Sequence, residues 1–109
     1  MRRNYNTKKE GRGFSEKTVQ QVWEKAARIP HETSGRVRLD ACGSIIDWNK
    51  YGAKSNTGWE IDHIQPVAKG GSDILENLQP LQWENNRAKG DEYPWKGNCA
   101  KGAGSRFPR

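Results

Sequence analysis

The first apolar periodicity in the chain begins at Phe14, after thirteen residues rich in Arg, Lys, Asn and Gly that show none. Val19, Val22, Trp23, Ala26 and Ile29 then recur at steps of three and four, the repeat of one helical face. Ser15 is a good N-cap, and Phe14 ahead of it can fold back on Val19 as a hydrophobic staple. The pattern predicts a helix over residues 16–28, stopped by Pro30. After a polar connection over 30–35, Val37 and Leu39 alternate with Arg36 and Arg38, residues 44–48 are β-rich, and 40–43 are turn material. A short hairpin is expected there. His31, inside the polar connection with no ligand partner near it in sequence, reads as an exposed loop residue.

A loop rich in Gly, Asn, Lys and Ser follows over 49–57, and residues 58–65 alternate as a strand. Trp59, Ile61 and His63 fall on one face and Glu60, Asp62 and Ile64 on the other, with Pro66 as the stop. Residues 67–73 form an exposed loop around Gly70-Gly71. Ile74, Leu75, Leu78 and Leu81 return the chain to the core, and Pro80 weakens any long second strand. Residues 83–89 read as a helix closed by Gly90. The order is strand, loop, short strand, helix. No internal repeat or second domain is visible, so the organisation is a flexible basic arm over 1–13, one domain over 14–95, and a basic tail over 96–109.

Composition narrows what such a domain can be. With a mean hydropathy of -1.10 the core is small, and five tryptophans, Trp23, Trp48, Trp59, Trp83 and Trp95, make an aromatic core the expectation. The net charge of +6 points to a polyanionic partner. Its distribution says more: residues 1–17 carry six Lys/Arg against two Glu, and 96–109 carry four and no acid, which leaves the middle slightly negative. That suits an enzyme gripping phosphates at its edges and keeping carboxylates for a cation inside; charged ends that merely solubilise the chain are the plain alternative. Two cysteines, Cys42 and Cys99, are too few for a disulfide scaffold or a four-cysteine zinc site, though they allow one bridge. Without an apolar signal region or a membrane-length stretch, a soluble, cytoplasmic protein is expected.

The chemistry concentrates in Asp62-His63, then fourteen residues on at Asn77, nine more at Asn86, and in Arg87 and Lys89 after it. Hydrolysing a phosphodiester needs a base to activate water, a cation to stabilise charge on the phosphate, and something to orient the base. His63 is the histidine of the stretch, and imidazole is the side-chain type best suited to taking up and releasing a proton at physiological pH, so it is the candidate general base. Asn77 is its candidate orienter, through the side-chain amide or the backbone carbonyl. Asp62 and Asn86 offer two hard oxygen ligands, suited to Mg²⁺ or Mn²⁺ rather than zinc, provided the strand bends enough to bring Asp62 round. Arg87 and Lys89, on the same short helix, could clamp phosphate oxygens. Glu60 reads equally as a further ligand or as a plain exposed strand residue.

Taken together, DHIQPVAKGGSDILENLQPLQWENNRAKGD resembles the HNH endonuclease family, matching its DHI-x-P, GG loop, NL-x-x-L and N-x-x-K in order over residues 42–91. The resemblance implies an α+β fold: a small ββα-metal (His-Me finger) domain, here with an additional N-terminal helix and short hairpin. It implies Asp62 and Asn86 as metal ligands, His63 as general base and Asn77 as the residue positioning it, in the family's HNN variant. It also implies metal-dependent hydrolysis of DNA. A catalytically inactive nucleic-acid-binding module of the same fold is the alternative. Many family members hold a structural zinc with two Cys-x-x-Cys pairs; here those positions are Cys42, Ile45, Gln82 and Asn85, so no such zinc is expected and tryptophan packing is expected in its place. Oligomeric state stays open, a dimer being one route to cutting both strands.

Overall fold

A computed structural model describes residues 5–102. Helix α1 spans Glu16–Trp23, and the Ser15 hydroxyl caps it by accepting from the Thr18 amide at 3.2 Å. The helix is shorter than the 16–28 expected. Its end is set by sheet pairing and by a tightened last turn. Ala27–Arg28 leave the helical path to become edge strand β1, opposite Leu39 and Arg38 of β2 (Val37–Leu39). The last turn closes on itself, with the Lys25 amide donating to the Val22 carbonyl and the Ala26 amide to the Trp23 carbonyl, both at 3.0 Å, and the buried Arg38 guanidinium adds a second, longer contact to the Trp23 carbonyl at 3.4 Å. Strand β3 (Ile45–Asp47) pairs with β2, so the expected hairpin forms the inner part of a three-stranded sheet ordered β1-β2-β3.

The second sheet is the antiparallel pair β4 (Trp59–His63) and β5 (Leu78–Gln82). Pro80, expected to weaken the second strand, sits in the middle of it opposite Ile61. Flanking bonds explain why it is tolerated. Ile64 N bonds Asn77 O at 2.8 Å and Trp83 N bonds Gly58 O at 3.0 Å. Because antiparallel pairs alternate, the Ile61–Pro80 pair is a non-hydrogen-bonded one and the missing N–H removes no rung. The Ile61 amide, turned outward, donates to Asn6 Oδ1 at 2.8 Å.

Helix α1 packs on β5 from one side and helix α2 (Trp83–Lys89) on both strands, which leaves all five residues of β4 buried. The core holds Val19, Val22, Trp23, Ala26, Ile46, Trp59, Ile61 and Leu78. Trp23, Trp48 and Trp59 stack with centroids 5.0 to 6.2 Å apart, and Tyr51 lies 4.8 Å from Trp59. Full burial of the Trp59 side chain alone stabilises by roughly 2–3 kcal/mol. Trp83 and Trp95 are outside this aromatic cluster.

Where a zinc would join the turn after β2 to the β5–α2 junction, the link is polar and covalent, not the expected tryptophan packing. Asp40, 1 % exposed, accepts from the Cys42 and Ser44 amides through Oδ1 and from the Gln82 amide and Asn85 Nδ2 through Oδ2, all within 2.8 to 2.9 Å. A disulfide joins Cys42 to Cys99, and the Lys101 amide donates to Asn85 Oδ1 at 2.7 Å, so the start of the basic tail is bound to this junction. Residues 5–13, expected to form a flexible arm, lie along the β4 edge: Asn6 Oδ1 also accepts from the Tyr51 hydroxyl at 2.9 Å, and the Lys9 amide donates to Asp73 at 2.9 Å. The rest of the expected arm (1–4) and tail (103–109) falls outside the described residues.

Candidate active site

Strand β4 divides the candidate residues between its two faces. Glu60 and Asp62 point toward α2, while His63, with Trp59 and Ile61, points the other way. Pairing continues unbroken through Asp62 opposite Gln79 and His63 opposite Leu78, so the strand does not end at Asp62 and the two side chains stay on opposite faces.

On the α2 face there are two charge clusters. Glu60 is buried and takes Arg87 in a two-pronged pair, Nη1 to Oε1 at 2.7 Å and Nη2 to Oε2 at 3.1 Å, while Oε1 also accepts from Asn86 Nδ2 at 2.8 Å. The Arg87 guanidinium is covered by the Tyr5 ring, 3.6 Å from its centroid. Asp62 accepts from Gln79 Nε2 at 2.9 Å and pairs with Lys89 Nζ at 3.2 Å, with both charged side chains at 0 % exposure. Lys89 also donates to the His63 carbonyl at 3.0 Å. It is therefore internal, a correction to its expected place as a phosphate clamp, and the reason is register: α2 directs positions 85, 86 and 89 inward.

Asn86 is fully buried, and its Oδ1 has no hydrogen-bond partner. An acceptor left so costs about 1–3 kcal/mol unless something donates to it or it ligates a cation. No hydrogen bond joins Asn86 to Asp62 among the described residues. Nor, among them, do three or more His, Cys, Asp or Glu side chains form a group able to hold a metal ion.

On the opposite face His63 Nε2 lies 2.8 Å from Asp73 Oδ1, with the His63 side chain 7 % exposed and the Phe14 ring centroid 6.0 Å from its own. Burial by itself would raise the Asp73 carboxyl. The hydrogen bond with His63, the Lys9 amide and the charges of His63 and Lys8 together outweigh it and hold the group below the usual carboxylate range.

Asp73 was not singled out from sequence, where Ser72-Asp73 reads as loop filler. The available signal was its place two residues past the double glycine, where the loop must return to the end of β4. Asn77 does not bond the imidazole. Its Oδ1 accepts from Gln65 N at 2.8 Å and its Nδ2 donates to Gln65 O at 3.1 Å and Ser72 O at 2.8 Å, which clamps the 65–72 loop shut. The loop needs both glycines. Gly70 has φ of +89°, and a Cβ on Gly71 would meet the Gln65 carbonyl oxygen at 1.7 Å.

Residues 41–92 match the family model described as HNH endonuclease. No curated protein and no solved structure matches the chain. The match spans β4, the clamped loop, β5 and α2 together with Asp62, His63, Asn77 and Asn86, and over that segment, just under half of its length, the chain is similar to the HNH endonuclease family, a family of nucleases.

Proposed function

We propose that the chain is a metal-dependent endonuclease that hydrolyses phosphodiester bonds in DNA, on a ββα-metal scaffold made of β4, β5 and α2. The observation that carries this reading is the intact set Asp62, His63, Asn77 and Asn86 on one strand, loop, strand and helix run inside the family segment. His63 acts as general base and accepts the proton of the attacking water. Asn77 supports it through the loop it closes, not through a bond to the ring.

The donor set suits a hard divalent cation such as Mg²⁺ or Mn²⁺, because the orphaned Asn86 Oδ1 is a buried oxygen ligand in want of a partner and β4 presents carboxylates to the same helix. Asp62 and Asn86 would hold the ion, which supplies charge stabilisation to the phosphate oxygens. Arg87, with 28 % of its side chain exposed, keeps its proposed role in substrate binding; Lys8 and Lys9, brought beside Asp73, take the place of Lys89.

A second reading, a nucleic-acid-binding module without catalysis, is favoured by one observation: Glu60 and Asp62 are already neutralised by Arg87 and Lys89. Plasmid incubated with Mg²⁺ or Mn²⁺, beside His63→Ala, separates the two. Metal-dependent nicking lost in the variant is expected. Cutting that survives the substitution, or salt-sensitive DNA binding with no nicking in either metal, overturns the nuclease reading.

A further inference from the structure

We propose that Asp73 is the positioning residue of this site, holding the neutral His63 imidazole in the tautomer that carries its proton on Nε2 and leaves Nδ1 as the basic nitrogen. The inference rests on His63 being the general base. Its ground is a convergence of two donors on one oxygen: Asp73 Oδ1 lies 2.8 Å from His63 Nε2 and also accepts the Lys9 backbone N–H at 2.9 Å. A peptide N–H can only donate, so the side-chain atom between Lys9 and His63 must be an acceptor, and a neutral imidazole meeting an acceptor must present N–H. That fixes the proton on Nε2. Nδ1 has no partner among the described residues, and it is not one of the fully buried unpartnered atoms.

The same geometry gives the N-terminal segment and Asn77 their work. The Lys9 amide dictates the polarity of the pair from a stretch outside the family segment. Asn77 fixes the Ser72 carbonyl, one residue ahead of Asp73, and so sets where the carboxylate stands. When Nδ1 takes a proton from water, the imidazolium that results faces a carboxylate that stays ionised, as an orienting acid beside a catalytic histidine does.

The test reads the ring directly in the full chain labelled with ¹⁵N-histidine. Of the two histidines, His31→Gln removes the other set of signals. Long-range ¹H–¹⁵N correlation with the ring neutral and no DNA present is expected to show the proton on Nε2. In Asp73→Asn the Lys9 amide still turns a carbonyl oxygen toward the ring, so the tautomer is retained while kcat falls. In Asp73→Ala the ring becomes a mixture of tautomers and kcat falls roughly 10–100-fold, part of the ~10²–10⁴ that a general base contributes. KM stays within about threefold, as expected when a transition-state interaction alone is lost. A wild-type ring protonated on Nδ1 overturns the proposal with no variant needed, as does an Asp73→Ala protein with unchanged kcat. Either result leaves the nuclease reading standing if His63→Ala still abolishes cutting. Cutting that persists in His63→Ala sinks that reading whatever the tautomer.

Discussion

A lysine ammonium at zero exposure is stable only because three oxygens surround it, and for Lys89 these are the two carboxylate oxygens of Asp62 and the His63 carbonyl. Taking away one partner of such a pair leaves a buried charge uncompensated, so Lys89→Met should lower stability by about 3–5 kcal/mol in urea denaturation. Adding Asp62→Asn should restore a large part of that loss; a double variant no more stable than the single would mean that the pair does not carry the effect. Asp73 gives a prediction in pH. Its folded pKa is depressed, so its contribution is complete above the unfolded value of about 3.9 and is lost as pH falls through the folded one. Wild type should therefore lose more stability between pH 6 and pH 3 than Asp73→Asn, to within that group's share. Single residues were legible where chemistry is written in their type, as in Asp62 beside His63. Lys89 was not, because whether a helical lysine faces water or a carboxylate depends on α2's rotation against β4, which a seven-residue helix does not reveal in its spacing.

At the scale of elements, the loop between the strands is as constrained as the strands. With the Gly71 Cα against the Gln65 carbonyl, Gly71→Ala must push the loop off Asn77, and Asp73 moves with it. Its nicking rate should drop at least tenfold, in line with the loss from misplaced support around a site, while the far-ultraviolet circular dichroism of the strands and helices stays near wild type. An unchanged rate would detach the loop from the chemistry. The double glycine was readable as a turn, but not as a close approach, since that depends on which carbonyl lies beneath it. Helix α1 was readable at its start, where Ser15 announces the cap, and misread at its end, where the periodic Ala26 and Ile29 continue past Trp23. A local pattern carries no trace of β2, which begins only at Val37, drawing Ala27–Arg28 out of the helical path to pair with it. The β2–β3 hairpin, set by neighbours in sequence, was placed well for the opposite reason.

For the whole molecule, both ends of the described chain are fastened to the domain. The bridge between Cys42 and Cys99 spans a sequence separation of 57, and in the chain-entropy picture such a loop restricts the unfolded state by roughly 4 kcal/mol. Reduction with dithiothreitol, or the pair Cys42→Ser and Cys99→Ser, should therefore lower the urea midpoint clearly, with Asp40 keeping the junction folded. No shift on reduction would show that the Asp40 network suffices by itself. Sequence arithmetic allowed the bridge and could not favour it, because nothing in the spacing of two cysteines tells how near the tail returns.

The fastening of the N-terminal segment matters for anyone who makes this protein. Tyr5 covers Arg87 and the Lys9 amide holds Asp73, so a purification handle fused ahead of Tyr5 is attached only a few residues from groups that contact the site. Preparations that differ only in the scar left by protease removal of such a handle can then differ in turnover. Rates are comparable only between samples that share the same leading residues.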